Sequence, residues 1–288
     1  MKTHVPQNMC RFFLFFAFLL FVSSIFAQAP VNYLIVANEE LQGCTSLNEF
    51  IEWKTEKGYQ ITTHFVEISA DVEEIDSWVE EQYNSMILPP EFLLLIGDYD
   101  GLYPLPSQTS GFPTGPSEMV SDLVYGVIGD VTNTNRIPQI YVGRFPIQTL
   151  DELDILIEKT LWYEKEQFTS NADISYLENA LGESNNNDNY WQWRNATLNY
   201  GWDNYFNDTA INPYTGTANG VNGISYNYPH ADTTALMQNI IDDITDGVGF
   251  YCYVGNADKF QLKFPFFTID HLNQLQNFQK YPVVYIGG

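Results

Sequence analysis

The sequence predicts an α/β fold of two adjacent lobes, each with a mostly parallel β-sheet that is flanked by helices. Apolar strands alternate with amphipathic helices along the chain from Asn32 onward. The run FLLLI, residues Phe92 to Ile96, is apolar throughout, which is typical of a strand buried on both faces of a parallel sheet. The chain has 288 residues, of which 45% are hydrophobic, so it can bury one large core or two smaller ones.

The N-terminal 27 residues have the pattern of a secretory signal peptide. Lys2 and Arg11 precede an apolar run from Phe12 to Phe26, and Ala27 supplies a small residue at the expected cleavage site. The run is too short for a convincing membrane span, although an uncleaved anchor is the alternative. We therefore expect residues 1–27 to be removed, the rest of the chain to be secreted or held at the cell surface, and no membrane insertion after cleavage.

The chain is strongly acidic, with 36 Asp and Glu residues against 12 Lys and Arg residues and a net charge of -24. This charge argues against nucleic acid or an anionic membrane as a partner, because both are themselves negative. Its simplest role is to keep an exported protein soluble. Calcium binding at clustered acids is the alternative, although no segment has the EF-hand spacing. The candidate ligands are Asp98, Asp100, Asp130, Asn133, Asn135 and the run Asn185 to Asn189.

The two cysteines that follow the predicted leader, Cys44 and Cys252, exclude several kinds of site. They are too few for a disulfide framework and for a zinc site built from cysteine pairs. Cys44 follows the first strand of one lobe, whereas Cys252 lies in an apolar strand of the other. We therefore expect a buried, inert Cys252 thiol and no disulfide between the two residues.

Residues 32–145 are predicted to form the first lobe. A capping box at Ser46–Glu49 opens its first helix, and apolar residues at helical spacing from Val72 to Val79 form one face of its second helix. Roughly twenty residues after Asp98 are rich in Pro, Gly and Ser and are predicted to be a loop. The extended segments are 32–37, 61–68, 92–96, 121–130 and 139–146.

The second lobe is predicted to span residues 146–288, with the boundary near Pro146. A capping box at Thr149–Glu152 opens a long helix that ends near Glu164. A polar connection rich in Asn and Gly covers Asn204 to Asn227. Strands are predicted at 176–181, 249–254 and 282–286, and helices from Trp191 and at 232–246.

The last two predicted strands, Val248–Val254 and Val283–Ile286, are expected to be parallel neighbours. Both are apolar, and a helical segment around His271–Phe278 would join them as a right-handed crossover requires. Their carboxyl ends would then meet at one edge of the sheet and bring Asn256 close to Gly288. Such strand ends hold side chains rigidly and leave backbone N–H groups free, which suits binding or catalysis.

The stretch IYVGRFPIQTLDELDILIEKTLWYEK, Ile140 to Lys165, resembles the gingipain-type cysteine peptidases in the order of its strand, Gly-Arg turn, capped helix and Tyr163-Glu164 pair. The segments FLLLIGD and SDLVYG match the same family in the same order, and YVGNAD and YPVVYIGG are similar to its two catalytic strand ends. The resemblance covers Asn32 to Gly288. It implies a caspase-like α/β fold, a protein or peptide substrate and no cofactor for the chemistry, with calcium as a candidate structural ion.

The resemblance also implies a cysteine–histidine dyad at two strand ends of the second lobe. The histidine position of the family falls on Asn256, next to Gly255, and the cysteine position directly follows Gly288. The general acid–base help of an imidazole is worth about 10²- to 10⁴-fold, and a carboxamide cannot supply it because it does not accept a proton near neutral pH. Two roles remain for Asn256: it orients a substrate carbonyl, or it caps the strand end as a satisfied polar residue.

Two further positions of the family fall on residues of the second lobe. Glu183 is the best match for the glutamate that supports the histidine, and a solvated loop glutamate is the alternative. The acid that selects a basic side chain in the substrate aligns with Tyr190, with Asp188 two residues earlier. The resemblance therefore does not carry arginine or lysine specificity over to this chain.

Other candidates for the chemistry are weaker. Cys252 sits inside an apolar strand, so its thiol is not expected to be a nucleophile. His230, just before a predicted helix, is an alternative base. His64 and His271 lie within a strand and a helical segment and have no cysteine nearby in the sequence.

The sequence leaves two main functions open. The first is a secreted gingipain-like cysteine peptidase domain, incomplete and inactive as given because it stops before its nucleophile and carries Asn256 at the histidine position. The second is a non-catalytic relative that keeps the fold to bind peptides or to organise a surface assembly, and Asn256 favours it. An exported sugar- or calcium-binding module is a third class, without a matching motif. The residue after Gly288 would discriminate between the first two.

Overall fold

The computed structural model describes residues 30–109, 120–132, 134–185, 191–206, 221–228, 233–258, 260–263 and 266–287. These residues form two compact units, one that ends at Ile157 and one that begins at Glu158. The division falls within a helix, and the lobe boundary near Pro146 stays a prediction. Among the helices of the described residues, none is long and apolar enough to cross a membrane.

The first unit contains a four-stranded sheet in which every strand runs parallel to its neighbours. Its elements in chain order are β1 Val31–Asn38, α1 Thr45–Glu56, β2 Tyr59–Val66, α2 Val72–Ser85, β3 Phe92–Ile96 and β4 Tyr141–Phe145. The strands lie in the order β2-β1-β3-β4. The parallel sheet predicted for this part of the chain is therefore confirmed.

One face of this sheet buries an apolar core against α2. Leu34 and Val36 of β1 share a face because alternate residues of a strand point the same way, and Leu95 of β3 lies beside them. These side chains pack with Ile75 and Val79 of the helix, and all five are fully buried. Burial of one such side chain contributes about 1.5–3 kcal/mol, so this cluster is a main source of stability in the first unit.

Two local predictions in the first unit are wrong. Helix α1 begins at Thr45, so the predicted cap Ser46 lies inside the helix. The segment 121–130 is not extended, because Leu123–Gly126 form a 3₁₀ turn. The turn is held by Tyr125, which is fully buried and whose hydroxyl donates a hydrogen bond of 2.7 Å to a backbone carbonyl of the preceding loop.

Helix α3, Leu150–Leu161, starts at the second predicted capping box, which is confirmed. The Thr149 hydroxyl accepts a hydrogen bond from the backbone N–H of Glu152 at 3.2 Å, and the Glu152 carboxylate accepts one from the N–H of Thr149 at 3.1 Å. The helix continues through a π-helical turn, Trp162–Glu166, and its last turn is Gln167–Thr169. Reciprocal bonds of this kind satisfy N–H groups that a helix start leaves without partners.

The second unit contains another four-stranded parallel sheet and a small antiparallel one. Its elements are β5 Asn179–Ser184, α4 Trp191–Asn204, β6 Asn222–Tyr226, α5 Thr233–Asp246, β7 Phe250–Val254, β8 Ala257–Asp258, β9 Gln261–Leu262, β10 Phe267–Thr268, α6 Ile269–Leu272 and β11 Val283–Gly287. The large sheet has the order β11-β7-β5-β6, and β8, β9 and β10 form the small sheet. The predicted parallel pairing of the last two long strands is confirmed.

Helices α4 and α5 pack on opposite faces of the larger sheet. Leu181 of β5 belongs to one buried cluster with Ile240 of α5. On the other face, Leu198 and Trp202 of α4 approach the backbone of β5 at Gly182. A Cβ atom at Gly182 would lie 2.6 Å from atoms of both side chains, so this helix can pack closely only because the strand has no side chain there.

Three predictions for the second unit need correction. The first strand begins only at Asn179, because Ser175–Glu178 form a 3₁₀ turn. The predicted connection Asn204–Asn227 contains β6, which is an edge strand and therefore carries few apolar residues. The predicted helical segment His271–Phe278 contains only the end of the short helix α6, since the antiparallel strands β8 to β10 take up much of this connection.

Candidate functional site

The carboxyl ends of β5, β7 and β11 meet at one edge of the larger sheet of the second unit. The backbone N–H of Asn185, just after β5, donates to the last carbonyl of β7 at 3.1 Å, and that of Gly255 donates to the carbonyl of Gly287 at 2.7 Å. Asn256 therefore lies at the edge where β11 ends, as the sequence predicts. Its expected neighbour Gly288 lies outside the described residues.

The side chain of Asn256 is half-buried and hydrogen-bonded. Its Oδ1 accepts a hydrogen bond from Nη2 of Arg194 at 3.0 Å. Its backbone carbonyl accepts one from the N–H of Lys263 at 3.0 Å and lies 2.6 Å from the hydroxyl of Tyr253. A carboxamide held in this way can orient a polar group, but it cannot take up a proton near neutral pH.

Asn185 is the buried centre of the same group of residues. Its side chain is fully buried, and its Nδ2 donates to the hydroxyl of Tyr253 at 2.6 Å and to the carbonyl of Lys263. Its Oδ1 accepts from Nη1 of Arg194 at 3.0 Å. Asn185 is one of the predicted calcium ligands, but here its amide oxygen faces a guanidinium, and its role is to join β5 to the residues that follow β7.

Glu183 lies in β5 and is fully buried, so the alternative of a solvated loop glutamate is wrong. The hydroxyl of Tyr251 donates to its Oε2 at 2.8 Å, whereas Oε1 has no hydrogen-bond partner among the described residues. Burial raises the pKa of Glu183 to about 8, and the hydrogen bond from Tyr251 only partly opposes this shift. The carboxyl is therefore protonated at neutral pH, and its role beside a histidine position stays a prediction.

Cys252 forms no disulfide, and neither does Cys44, as predicted. Cys252 is half-buried rather than fully buried, because it lies on the face of β7 that α4 covers only in part. Burial raises the pKa of its thiol to about 11, which disfavours the thiolate that a nucleophile requires.

Two histidines have local structural roles. The ring of His64 stacks on Trp78 with the ring centroids 4.6 Å apart, and burial lowers the pKa of this histidine. Nδ1 of His271 accepts a hydrogen bond from the N–H of Thr268 at 3.0 Å and so caps the short helix α6. Three predicted site residues lie outside the described residues. They are the alternative base His230 and the two specificity positions, Asp188 and Tyr190.

A partly buried ion pair joins two segments of the family resemblance in the first unit. Nε and Nη2 of Arg144 donate to both carboxylate oxygens of Asp122 at 2.8 and 2.7 Å, and Nη2 also donates to the hydroxyl of Ser107. Nη1 donates to the carbonyls of Gly97 and Leu105. Burial raises the pKa of Asp122, but the bonds from Arg144 and Ser107 outweigh it and hold this pKa below its ordinary value. The role of this pair is therefore structural, since it ties loops to the sheet of the first unit.

The described acids among the proposed calcium ligands do not form a ready set of ligands, whereas Asn133 and residues 186–189 lie outside the described residues. Within the described residues, no group of three or more His, Cys, Asp or Glu side chains is placed to hold a metal ion. The Asp98 carboxylate accepts hydrogen bonds from the N–H of Tyr99 and from Gln148, both at 2.8 Å. Burial, together with the charges of Glu80 and of the candidate ligand Asp130, raises the pKa of the nearby Asp76 to about 6. Calcium binding stays a prediction.

Sequence reasoning missed Arg194 and Tyr253, which hold the residues around position 256. Arg194 is separated from Asn256 by 62 positions, so no local pattern connects them. A signal was nevertheless present, because basic residues are rare in this chain and Arg194 lies in the first turn of the helix that follows the Asn-rich loop of the second lobe. The sequence pattern places Tyr253 only in an apolar strand, although a tyrosine near a strand end commonly needs a hydrogen-bond partner for its hydroxyl.

Comparisons with known proteins point to one family. The model of peptidase family C25 matches residues 26–288. Lys-gingipain from Porphyromonas gingivalis is 28% identical over 262 residues, which cover 88% of this chain and 13% of that protein. Gingipain R2 from the same organism is 21% identical over 261 residues, 88% of this chain and 31% of that protein. The chain thus spans less than a third of the length of these relatives.

Solved structures of proteases share the fold. A structure described as that of a protease has a TM-score of 0.70 and 23% identity, and the match covers 90% of this chain and 52% of that one. The crystal structure of the Arg-specific cysteine proteinase gingipain R has a TM-score of 0.65 and 20% identity, with 90% and 56% covered. A complex of the pro- and mature domains of RgpB from Porphyromonas gingivalis has a TM-score of 0.64 and 22% identity, with 88% and 54% covered. The predicted α/β fold, caspase-like with parallel sheets flanked by helices, is confirmed.

Proposed function

Because the chain belongs to peptidase family C25, we propose that it is a secreted gingipain-like cysteine peptidase domain that binds protein or peptide chains without cleaving them. The observation that carries this proposal is the side chain at the family's histidine position. Asn256 is a hydrogen-bonded carboxamide there, and it cannot act as the general base of a cysteine–histidine dyad.

The geometry of the second unit supports peptide binding at the edge formed by β5, β7 and β11. In sheets of this type, ligands bind in the crevice outside the carboxyl ends of the strands. Asn256 stands at this edge with its side chain oriented by Arg194. An extended peptide offers carbonyl and N–H groups that an amide side chain can bind.

The described cysteines do not replace a missing nucleophile. With its pKa raised to about 11, the thiol of Cys252 is ionised in about one molecule in ten thousand at pH 7. Cys44 belongs to the other unit. We therefore expect no cleavage by the 288-residue chain through a thiol that lies within the described residues.

The test combines a cleavage assay with a binding assay on one mixed peptide library. The chain is expected to give no cleavage that a thiol-reactive inhibitor abolishes, and to bind peptides saturably. Asn256→Ala should weaken binding about 3- to 10-fold, because one hydrogen bond contributes about 0.5–1.5 kcal/mol. Asn273→Ala, at an exposed asparagine of the same unit, is the matched control and should leave binding unchanged.

Each other outcome contradicts part of the proposal. Inhibitor-sensitive cleavage by the unmodified chain would show that one of its own cysteines acts as a nucleophile, and Cys252 would be the first to replace. In a form extended to include a cysteine after Gly288, such cleavage would show that another residue serves as the base, and His230 would be the first to replace. Saturable binding that is indifferent to Asn256→Ala would place the peptide elsewhere. No binding and no cleavage would favour the other non-catalytic role, a part in a surface assembly.

Secretion and calcium binding are separate parts of the proposal. The leader-like composition of residues 1–27 supports export and cleavage after Ala27, and N-terminal sequencing of the exported protein tests it. Calcium is proposed only as a structural ion. A thermal unfolding midpoint that is the same with calcium and with a chelator would remove it from the proposal.

A further inference from the structure

The hydroxyl of Tyr253 uses all of its hydrogen-bonding capacity beside position 256. Tyr253 is fully buried, and burial raises the pKa of its hydroxyl, which therefore keeps its proton. The hydroxyl oxygen accepts from Nδ2 of Asn185 at 2.6 Å and from the N–H of Lys263 at 3.1 Å. The carbonyl oxygens of Asn256 and Lys263, both at 2.6 Å, share its proton. One donor and two acceptor positions are all that a tyrosine hydroxyl has.

These bonds close a hairpin at its base. Strands β8 and β9 pair with each other, Asn256 directly precedes β8, and Lys263 directly follows β9. The N–H of Lys263 also donates to the carbonyl of Asn256 at 3.0 Å. Strand β8 has two exposed residues and forms an edge of the small sheet, so its own ladder holds it weakly. The position of Asn256 therefore depends on the bonds at the base of the hairpin.

Asn185 connects the same base to the larger sheet. Its backbone N–H donates to the carbonyl of Val254 at 3.1 Å, and its Nδ2 donates to the Tyr253 hydroxyl and to the carbonyl of Lys263. The side chain of Asn185 is fully buried, so water does not compete for these bonds. The backbone at position 256 is thus attached to two strands of the larger sheet through one phenol and one amide.

The side chain of Asn256 presents its amide nitrogen as the group that is left to bind a ligand. Its Oδ1 accepts from Nη2 of Arg194 at 3.0 Å, whereas its Nδ2 has no hydrogen-bond partner among the described residues. The side chain is half-buried and so is reachable from solvent. An amide nitrogen only donates, and the acceptor that a peptide backbone offers is a carbonyl oxygen.

We propose that Tyr253 is the positioning residue for Asn256: its hydroxyl fixes the backbone at the base of the hairpin, so that Nδ2 of Asn256 meets a carbonyl oxygen of the bound peptide. This inference deepens the proposed function and rests on it for the ligand. Tyr253 is buried and acts only through Asn256.

The first experiment measures binding of the mixed peptide library to Tyr253→Phe, which loses the hydroxyl and keeps the ring. We expect binding to weaken about 3- to 10-fold, as for Asn256→Ala. The double variant should bind as Asn256→Ala alone does, because Tyr253 acts through that side chain. Tyr226→Phe is the matched control. It removes a hydroxyl that donates to Asp243 at 2.8 Å in the same unit, and it should leave binding unchanged.

Asn256→Asp tests the identity of the donor. Aspartate has the shape of asparagine and keeps an oxygen that faces Arg194, but it has no N–H to offer. It should weaken peptide binding at least as much as Asn256→Ala, since a carboxylate oxygen would then face a carbonyl oxygen. Unchanged binding by Asn256→Asp would contradict the role of Nδ2 as the donor.

The second experiment follows the Asn256 side chain by NMR without any peptide. Its amide resonances are identified by their absence from the spectrum of Asn256→Ala. Tyr253→Phe should lower the order parameter of this amide to about 0.6 or below, the range of flexible groups. Tyr226→Phe should leave it as in the unmodified chain.

Two results would overturn the role of Tyr253. One is an order parameter that Tyr253→Phe leaves unchanged. The other is a loss of binding that simply adds to that of Asn256→Ala, since Tyr253 would then not act through this residue. If Tyr253→Phe does not fold, hydrogen exchange of the unmodified chain decides. The N–H of Lys263 should exchange at least about 100-fold more slowly than that of Phe260 at the exposed tip of the hairpin, and equal rates contradict the proposal.

The two experiments separate this inference from the proposed function. A library that does not bind to the unmodified chain would remove the proposed function and the peptide carbonyl with it. The order parameter would still decide whether Tyr253 positions Asn256. Saturable binding with an order parameter that is indifferent to Tyr253→Phe would remove the role of Tyr253 and leave the proposed function standing.

Discussion

Glu183 is a buried carboxyl group in a region that is otherwise apolar or hydrogen-bonded. Its Oε2 accepts from Tyr251, and its Oε1 has no partner among the described residues. Leaving a buried polar atom without a partner costs about 1–3 kcal/mol, and ionising the group in this place would cost more. The carboxyl avoids the second cost by keeping its proton, which makes the stability of the second unit depend on pH.

Glu183→Gln should flatten this pH dependence. The folded chain holds the proton up to about pH 8, whereas the unfolded chain releases it near pH 4.5, so the stabilisation present at low pH is lost as pH rises through this window. The loss is about 1.4 kcal/mol per pH unit for one group, and glutamine, which does not titrate, removes it. Urea unfolding at pH 5, 6, 7 and 8 measures the difference between the two chains.

Glu178→Gln is the control for this measurement, because Glu178 is exposed in the turn just before the same strand. It should leave the pH dependence as in the unmodified chain. Equal slopes for Glu183→Gln and the unmodified chain would mean that Glu183 is ionised in the folded state.

At the scale of elements, the strand ends of the second unit are joined by a close contact between Gly255 and Asn185. A Cβ atom at Gly255 would lie 2.3–2.6 Å from the side-chain atoms of Asn185. Asn185 is fully buried and bonded to Tyr253 and Arg194, so it cannot move aside at low cost. Because Gly255 has no side chain, Asn185 after β5 can lie against the residues that follow β7 and form its hydrogen bonds there.

Gly255→Ala should therefore destabilise the second unit by about 1–3 kcal/mol, as other insertions into packed sites do. Gly143→Ala is the matched control. Gly143 lies in β4 of the first unit, and apart from Gly143 and its two chain neighbours no atom of the described residues lies within 4 Å of the position that its Cβ would take. Chemical unfolding of both variants, followed by tryptophan fluorescence, measures the difference. A neutral Gly255→Ala would show that Asn185 is free to shift.

At the scale of the whole molecule, β11 is the most exposed apolar strand of the described chain. It forms the edge of its sheet, and Val283, Val284, Tyr285 and Ile286 are 46–57% exposed. Alternate residues point to opposite faces, so among the described residues neither face of this strand is covered. An apolar edge strand of this kind is a template for pairing with another chain, and the negative charge of the protein opposes such association only at long range.

For a polypeptide that ends at Gly288, we expect association through β11, and Val284→Lys with Ile286→Lys to reduce this association several-fold. A lysine on an edge strand must be desolvated when another strand pairs there. Size-exclusion chromatography with light scattering gives the measurement. Ile68→Lys with Ile87→Lys, at exposed positions of the first unit, is the control. Both pairs lower the negative net charge equally, so an equal effect of the two pairs would show that charge and not β11 governs association.

Much of the fold was predictable because its signals are local. The apolar run of β3, the capping box at Thr149 and the helix that ends at Asp246 each depend on residues within a few positions of one another. The errors occurred where the local signal was weak or misleading. β6 has few apolar residues, and the segment around Tyr125 has the pattern of a strand but forms a 3₁₀ turn, whose tyrosine hydroxyl bonds to a carbonyl 19 positions earlier.

The candidate site was predictable in location but not in its contacts. The two strand ends are recognisable from their sequences, and parallel pairing places Asn256 at the edge where β11 ends. The neighbours of Asn256 come from a helix and a strand end far away along the chain. Their positions depend on how α4 packs against β5, which in turn depends on the small size of Gly182.

By itself, the sequence determined the longer strands and helices, the acidic charge and the presence of a carboxamide at position 256, because each of these is a property of residue types and their spacing. Only the tertiary structure decided that Arg194 faces Asn256, that Glu183 is buried with a raised pKa and that the buried Asn185 bonds to Tyr253. The physical reason is that periodicity is set within a single turn or strand. Burial and hydrogen-bond partners are set by packing between elements that are distant in sequence.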